Sequence, residues 1–194
     1  VLYGNNVPIF SHGTYYGIGT TTFEPTIGVT LQDNVYMTSW GTGSGGATAI
    51  IQCSNLVTMT NLSDYSCTDV GPAFVPNSND PYLYVDLWTD ALMKFDMHAL
   101  TGMTVEFSTN EGDSWRGPTA ITWPYSVQDH QTITSAPYPA YGYDTTYVFC
   151  VNGNFPAPLC SSSFDSGLTW TPEQSGAPAG CNSGGLTGHL AGSS

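Results

Sequence analysis

Ser163-Phe164-Asp165-Ser166-Gly167-Leu168-Thr169-Trp170 and Ser108-Thr109-Asn110-Glu111-Gly112-Asp113-Ser114-Trp115 share the pattern S-x-[DN]-x-G-x-[ST]-W, with the tryptophans 55 residues apart (170 − 115 = 55). Recurrence at such a period marks a repeat architecture in which each repeat is one supersecondary unit. The residue types suit a tight turn. The carboxylate of Asp165 or the amide of Asn110 can accept from the turn's own N–H groups, Gly112 and Gly167 can supply positive φ, and Trp115 and Trp170 can pack between neighbouring units. A stretch 54 residues upstream of Ser108, Ala49-Ile50-Ile51-Gln52-Cys53-Ser54-Asn55, ends a strand in the same way without the Gly and Trp, and reads as a degenerate third copy.

Outward from these turns the chain alternates short β-branched and aromatic runs with Gly, Asn, Asp and Pro, and no helical stripe interrupts it. Strands are expected at Val35–Trp40, Met103–Ser108 and Thr146–Val151. A second marker runs in step with the first. Glu24-Pro25-Thr26-Ile27, Asp80-Pro81-Tyr82-Leu83 and Asp129-His130-Gln131-Thr132 each set a carboxylate just before an extended segment, 56 and then 49 residues apart. Gly188-His189-Leu190-Ala191 reads as the opening of a fourth such strand.

The S-x-D-x-G-x-[ST]-W turn is the Asp-box, and over nearly its whole length the chain resembles the BNR-repeat, sialidase-like β-propeller family. The resemblance implies an all-β chain of four-stranded antiparallel blades. Residues 1–23 would be an N-terminal strand or extension, 24–79, 80–128 and 129–186 three blades, and 187–194 the start of another. Closed propellers have about four to eight blades, so three cannot close a ring. Further chain beyond Ser194, or a partner subunit, is expected to complete it.

Composition narrows the function classes. Two basic residues, Lys94 and Arg116, face fifteen acidic ones, for a net charge of −13. Nucleic acid is excluded as a partner, since phosphate binding draws on Lys and Arg. No run of 18 apolar residues is present, so insertion into a membrane is not expected. The five cysteines form no CxxC arrangement. Disulfides Cys53–Cys67 and Cys150–Cys160 are the expected reading, each contributing about 2 to 3 kcal/mol by chain entropy, and they imply an oxidising, secreted or cell-surface location. Cys181 is left over, and Asn61-Leu62-Ser63 forms a glycosylation sequon.

Propeller ligands sit at one mouth of the central channel, which places Glu24, Asp80, Asp129 and His130 as candidate ligand-binding residues. Such carboxylates could orient sugar hydroxyls, act as acid and base, or hold calcium, the one cofactor the ring would accept although none is required. The competing reading is that each carboxylate caps a turn. His130 stands where its two equivalents are proline, so it is the residue singled out for function; His12, His98 and His189 read as structural. Sialidases of the family clamp their substrate with an arginine triad, and with one arginine no catalytic residue can be assigned here. A secreted, carbohydrate-recognising propeller for a neutral glycan is therefore expected, with hydrolase activity in question. The alternative is a non-catalytic structural or adhesive protein of a surface, filament or coat.

Overall fold

The computed structural model describes residues 25–40, 48–54, 65–73, 78, 80–98, 100, 102–121, 128–137, 145–153, 158–176 and 189–191. Among them there is no helix, and twelve strands form three four-stranded antiparallel sheets. The first holds β1 (Ile27–Val29), β2 (Val35–Trp40), β3 (Thr48–Ser54) and β4 (Ser66–Asp69). The second holds β5 (Tyr82–Val85), β6 (Leu92–Met97), β7 (Met103–Ser108) and β8 (Arg116–Ala120). The third holds β9 (Gln128–Pro137), β10 (Thr145–Gly153), β11 (Leu159–Ser163) and β12 (Gln174–Ser175). Strand order follows chain order in every sheet.

The sheets pack face on face. Strand β6 is buried at all six positions because both of its faces meet a neighbour. Its odd residues Met93, Phe95 and Met97 share a core with Tyr147, Phe149 and Val151 of the third sheet. Leu92, pointing the other way, joins Leu83 and Val85 against Tyr36 and Ile50 of the first sheet. Phe95 and Phe149 lie stacked, with centroids 5.3 Å apart. Period-two alternation thus builds two cores, one on each side of the middle sheet.

The first strands of the three sheets lie side by side. Thr26 Oγ1 accepts from Leu83 N at 2.6 Å, a separation of 57 residues, and two residues further along both strands a Cβ on Gly28 would overlap the Val85 side chain. The next pair behaves alike. Gln131 Nε2 donates to the Asp80 carbonyl at 2.7 Å and Ser135 N to Tyr84 Oη at 3.1 Å, both across 51 residues. A constant offset means that β1, β5 and β9 run parallel. Leu190 N donates to Thr132 Oγ1 at 2.9 Å, so residues 189–191 continue the series beside β9, although they form no strand.

The two repeat turns lock each sheet to the one before it. In the later turn, Ser163 Oγ donates to Asp165 Oδ1 at 2.9 Å and accepts from Gly167 N at 2.8 Å. Asp165 Oδ1 also takes Thr169 N at 2.9 Å. Although burial alone would raise it, these donors hold the Asp165 carboxyl below its ordinary range. The earlier turn repeats the pattern through Ser108 and Asn110. Glu111 and Gly112, like Ser166 and Gly167, have positive φ. Gly167 lies flat on the Phe107 ring of the second sheet, and Gly112 lies on Val70 of the first. Trp115 Nε1 donates to the Val70 carbonyl at 2.7 Å. Trp170 packs edge-on to Phe149.

Both expected disulfides form, between directly opposed residues of β3 and β4 and of β10 and β11. They are compatible with an extracellular location. Two expectations need correction. Asp129 lies inside β9 and not before it, because a bulge lengthens that strand at its start. Cys53, not Ser54, holds the place of Ser108 in the first sheet: Cys53 pairs with Val35 as Ser108 pairs with Leu92 and Ser163 with Tyr147. Glu24, Asn61 and Cys181 lie outside the described residues.

Gly167→Ala should destabilise the protein by about 2 to 4 kcal/mol, since the new methyl meets both a positive φ and an aromatic ring. A urea midpoint unchanged from wild type would show that the turn does not bear on Phe107 as described.

Candidate functional site

Parallel first strands bring their starting ends together around one cavity of about 250 Å³, lined by Pro25, Thr26, Asp80, Pro81, Tyr82, His130, Gln131 and His189. A second hollow of about 430 Å³ continues along the groove between β1 and β5, past Tyr82, Tyr84 and Leu87, with His189 again on its wall. Proline at the head of β1 and β5 suits this position, because the first residue of a strand can give up its N–H.

The four sequence candidates fare differently. Asp80 lines the cavity, and its carbonyl anchors Gln131. His130 lines the cavity from an exposed position. Asp129 does not reach it: its Oδ1 accepts the His130 N–H at 2.9 Å, which is the capping role. Glu24 lies outside the described residues. Among the described residues no group of three His, Cys, Asp or Glu side chains is placed to hold a metal ion.

His130 has a φ of 53°. The pairing of β9 with β10 jumps from Thr132↔Cys150 to Asp129↔Asn152, so His130 and Gln131 together oppose Val151. This is a bulge with its first residue left-handed, a position usually given to glycine. A non-glycine residue held there stores about 1 to 3 kcal/mol, and such strain gathers at functional sites. The bulge turns His130 outward while Gln131 stays buried at 5% exposure. With Nε2 spent on Asp80, Gln131 Oε1 is a buried acceptor with no hydrogen-bond partner among the described residues.

The groove wall is held from behind. Tyr84 Oη lies 2.7 Å from Ser135 Oγ, which donates to Asp86 Oδ1 at 2.6 Å. Asp86 is fully buried and also accepts from Thr89 Oγ1 and from Tyr147 Oη at 3.0 Å. Burial raises the Tyr82 and Tyr84 phenols above their ordinary range, so both remain neutral hydrogen-bonding groups.

Of the residues lining these two hollows, sequence reasoning singles out Asp80 and His130 as candidates but not Gln131, Tyr82, Tyr84 or His189. The bulge decides which residues of β9 face the cavity, and no glycine betrays it in the sequence. His189 could have been found, since it opens the fourth copy of the first-strand marker. No protein-family model matches the chain, and neither does any curated protein.

His130→Gly should raise stability by about 1 kcal/mol by releasing the left-handed strain. It should show as a higher urea midpoint at unchanged slope. A lower midpoint would mean that the imidazole is needed to hold the bulge.

Proposed function

We propose that the chain supplies consecutive blades of a secreted, Asp-box β-propeller, and that the mouth formed by its first-strand starts recognises a neutral glycan without hydrolysing it. The supporting observation is the single cavity shared by β1, β5, β9 and His189, with a strained histidine on one wall beside a buried acceptor that has no partner among the described residues. A sugar ring fits this chemistry. Its apolar face can lie on Tyr82 and Pro81, and its hydroxyls can bond to Asp80 and to the exposed His130 of the same cavity.

The electrostatics speak for a neutral ligand. Arg116 Nη2 donates to the Ser166 carbonyl at 2.7 Å, and its guanidinium lies 4.8 Å over the Phe107 ring. Lys94 is buried with Asp96 and Glu106. Neither Lys94 nor Arg116 lines the cavity, so no permanently charged cation there would draw in an anionic sugar. Glycoside hydrolysis ordinarily takes two flanking carboxyl groups, and among the described residues lining this cavity Asp80 is the one carboxylate. The alternative of a surface, filament or coat component remains compatible with recognition, since adhesion also works through glycans.

The test is binding to an array of neutral and sialylated oligosaccharides, followed by calorimetry on the best ligand and a reducing-sugar assay. Neutral glycans should bind without being cleaved. Tyr82→Ala and Gln131→Ala should each weaken binding about tenfold, which corresponds to about 1.4 kcal/mol, the first by removing the stacking face and the second by releasing the Asp80 carbonyl from its anchor. Preference for sialylated glycans, release of reducing sugar, or indifference to both substitutions would contradict the proposal.

A further inference from the structure

A second cleft, of about 460 Å³, opens away from the channel where the first sheet meets the second. Gly71 and Pro72, just after β4, form one wall, while Trp115 and Gly117 form the other. Glu106 and Asp113 are the charged residues of its lining. Trp115 is half-buried and fixed by its bond to the Val70 carbonyl, so its ring is a rigid wall. Opposite Glu106 the pairing of β7 with β8 breaks into a bulge, and a Cβ on Gly117 would come 3.3 Å from Glu106 Cγ. Bare backbone therefore frames the carboxylate.

Behind Glu106 lies a charge cluster. Lys94 Nζ donates to Glu106 Oε2 at 2.6 Å and also to Asp96. All three residues are 3% exposed or less. Asp96 is the better satisfied carboxylate, since Thr48 Oγ1 donates to it as well, at 2.8 Å. Two carboxylates thus share one ammonium, and the cluster is one positive charge short. The deficit falls on Glu106, the member that lines the cleft. Burial pushes its carboxyl above the usual range against the pull of Lys94, with Asp96 adding to the rise and His98 opposing it. Asp113 at the rim and Asp69, which accepts the Gly71 N–H, add further negative charge nearby.

The fold itself does not call for these ions. The cross-strand pair equivalent to Lys94 and Glu106 is Met37 with Ile51 in the first sheet and Phe149 with Ser161 in the third. Buried ion pairs are weak contributors to stability beside apolar residues of like volume. A cluster that appears in one sheet of three, below an open cleft, answers to something other than packing.

We propose that this cleft binds a ligand carrying an ammonium group, with Glu106 as its counter-ion and the Trp115 ring as its cation–π wall. The ligand supplies the missing positive charge. Below its own pKa Glu106 takes up a proton in place of the ligand, and cation binding then expels that proton to solvent. Affinity then falls about tenfold per pH unit below the Glu106 pKa and is flat above it. The site is independent of the channel mouth and shares no residue with it.

The probe is choline chloride, titrated calorimetrically into the full chain in two buffers of different ionisation enthalpy, from about pH 8 to about pH 5. Its uncharged isostere, 3,3-dimethylbutanol, is the control. Choline should bind at least about tenfold tighter than the isostere, and proton release per choline should grow as pH falls. Glu106→Gln should abolish the preference for choline. Equal binding of the two compounds, no choline binding, absence of proton release, or a preference that survives Glu106→Gln would overturn the proposal. Where Glu106→Gln does not fold, the isostere comparison and the proton count on the unaltered protein decide.

Discussion

Everything in this molecule depends on how one sheet lies against the next. The contact at Gly167 and the Phe107 ring, with its counterpart at Gly112 and Val70, sets that relation. A side chain at either glycine would hold the sheets apart, and positive φ at both keeps the turn flat enough to dock. The serine and the Asp or Asn of each turn satisfy the turn's own donors, so the surface offered to the neighbouring sheet is apolar backbone and tryptophan. From that docking follow the two cores on either face of β6 and the parallel placement of β1, β5 and β9. The first-strand starts can then share one cavity.

The scarcity of basic residues gives the chain its electrostatic character. Its two cations are both engaged between sheets: Arg116 spans from Phe107 to the Ser166 carbonyl, and Lys94 is sealed with Asp96 and Glu106. Ligands reaching either cavity therefore meet acceptors, aromatic faces and carboxylates. This disfavours anions at both, and the two cavities are otherwise unlike. The difference lies in what stands behind each cavity, a satisfied Asp86 network in one case and a charge-deficient cluster in the other.

Local features were legible in the sequence. The turn pattern at Ser108 and Ser163 placed the ends of β7 and β11, and β2 and β7 have the bounds that alternation gave them. Both disulfides followed from cysteine spacing. What escaped reading depends on register between distant strands. Glu111 looks like a variable turn residue, yet its Oε2 accepts from Tyr36 Oη at 2.6 Å and Asn34 Nδ2 at 2.9 Å, across 75 and 77 residues. Lys94 sits at an alternating position that would suit a solvated face, and only the stacking of a further sheet buries it. The bulge at His130 shifts the start of β9 and turns Asp129 from a cavity residue into a cap. Of the cavity lining, Asp80 was readable because its carboxylate marker repeats in sequence and His130 because it departs from the proline of the other copies; Gln131 was not, because its role comes from the bulge.

The central claim is that each repeat turn docks, through its glycine, on the sheet before it, and that the first strands lie parallel as a result. A nuclear Overhauser spectrum tests this most directly through the Gly167 Hα protons and the Gly28 Hα protons. The account predicts cross-peaks from Gly167 to the Phe107 ring, with a ring-current shift of the Gly167 protons to high field, and from Gly28 to the Val85 methyls. Absence of both sets, with cross-strand peaks inside each sheet intact, would mean that the three sheets form but do not pack as described.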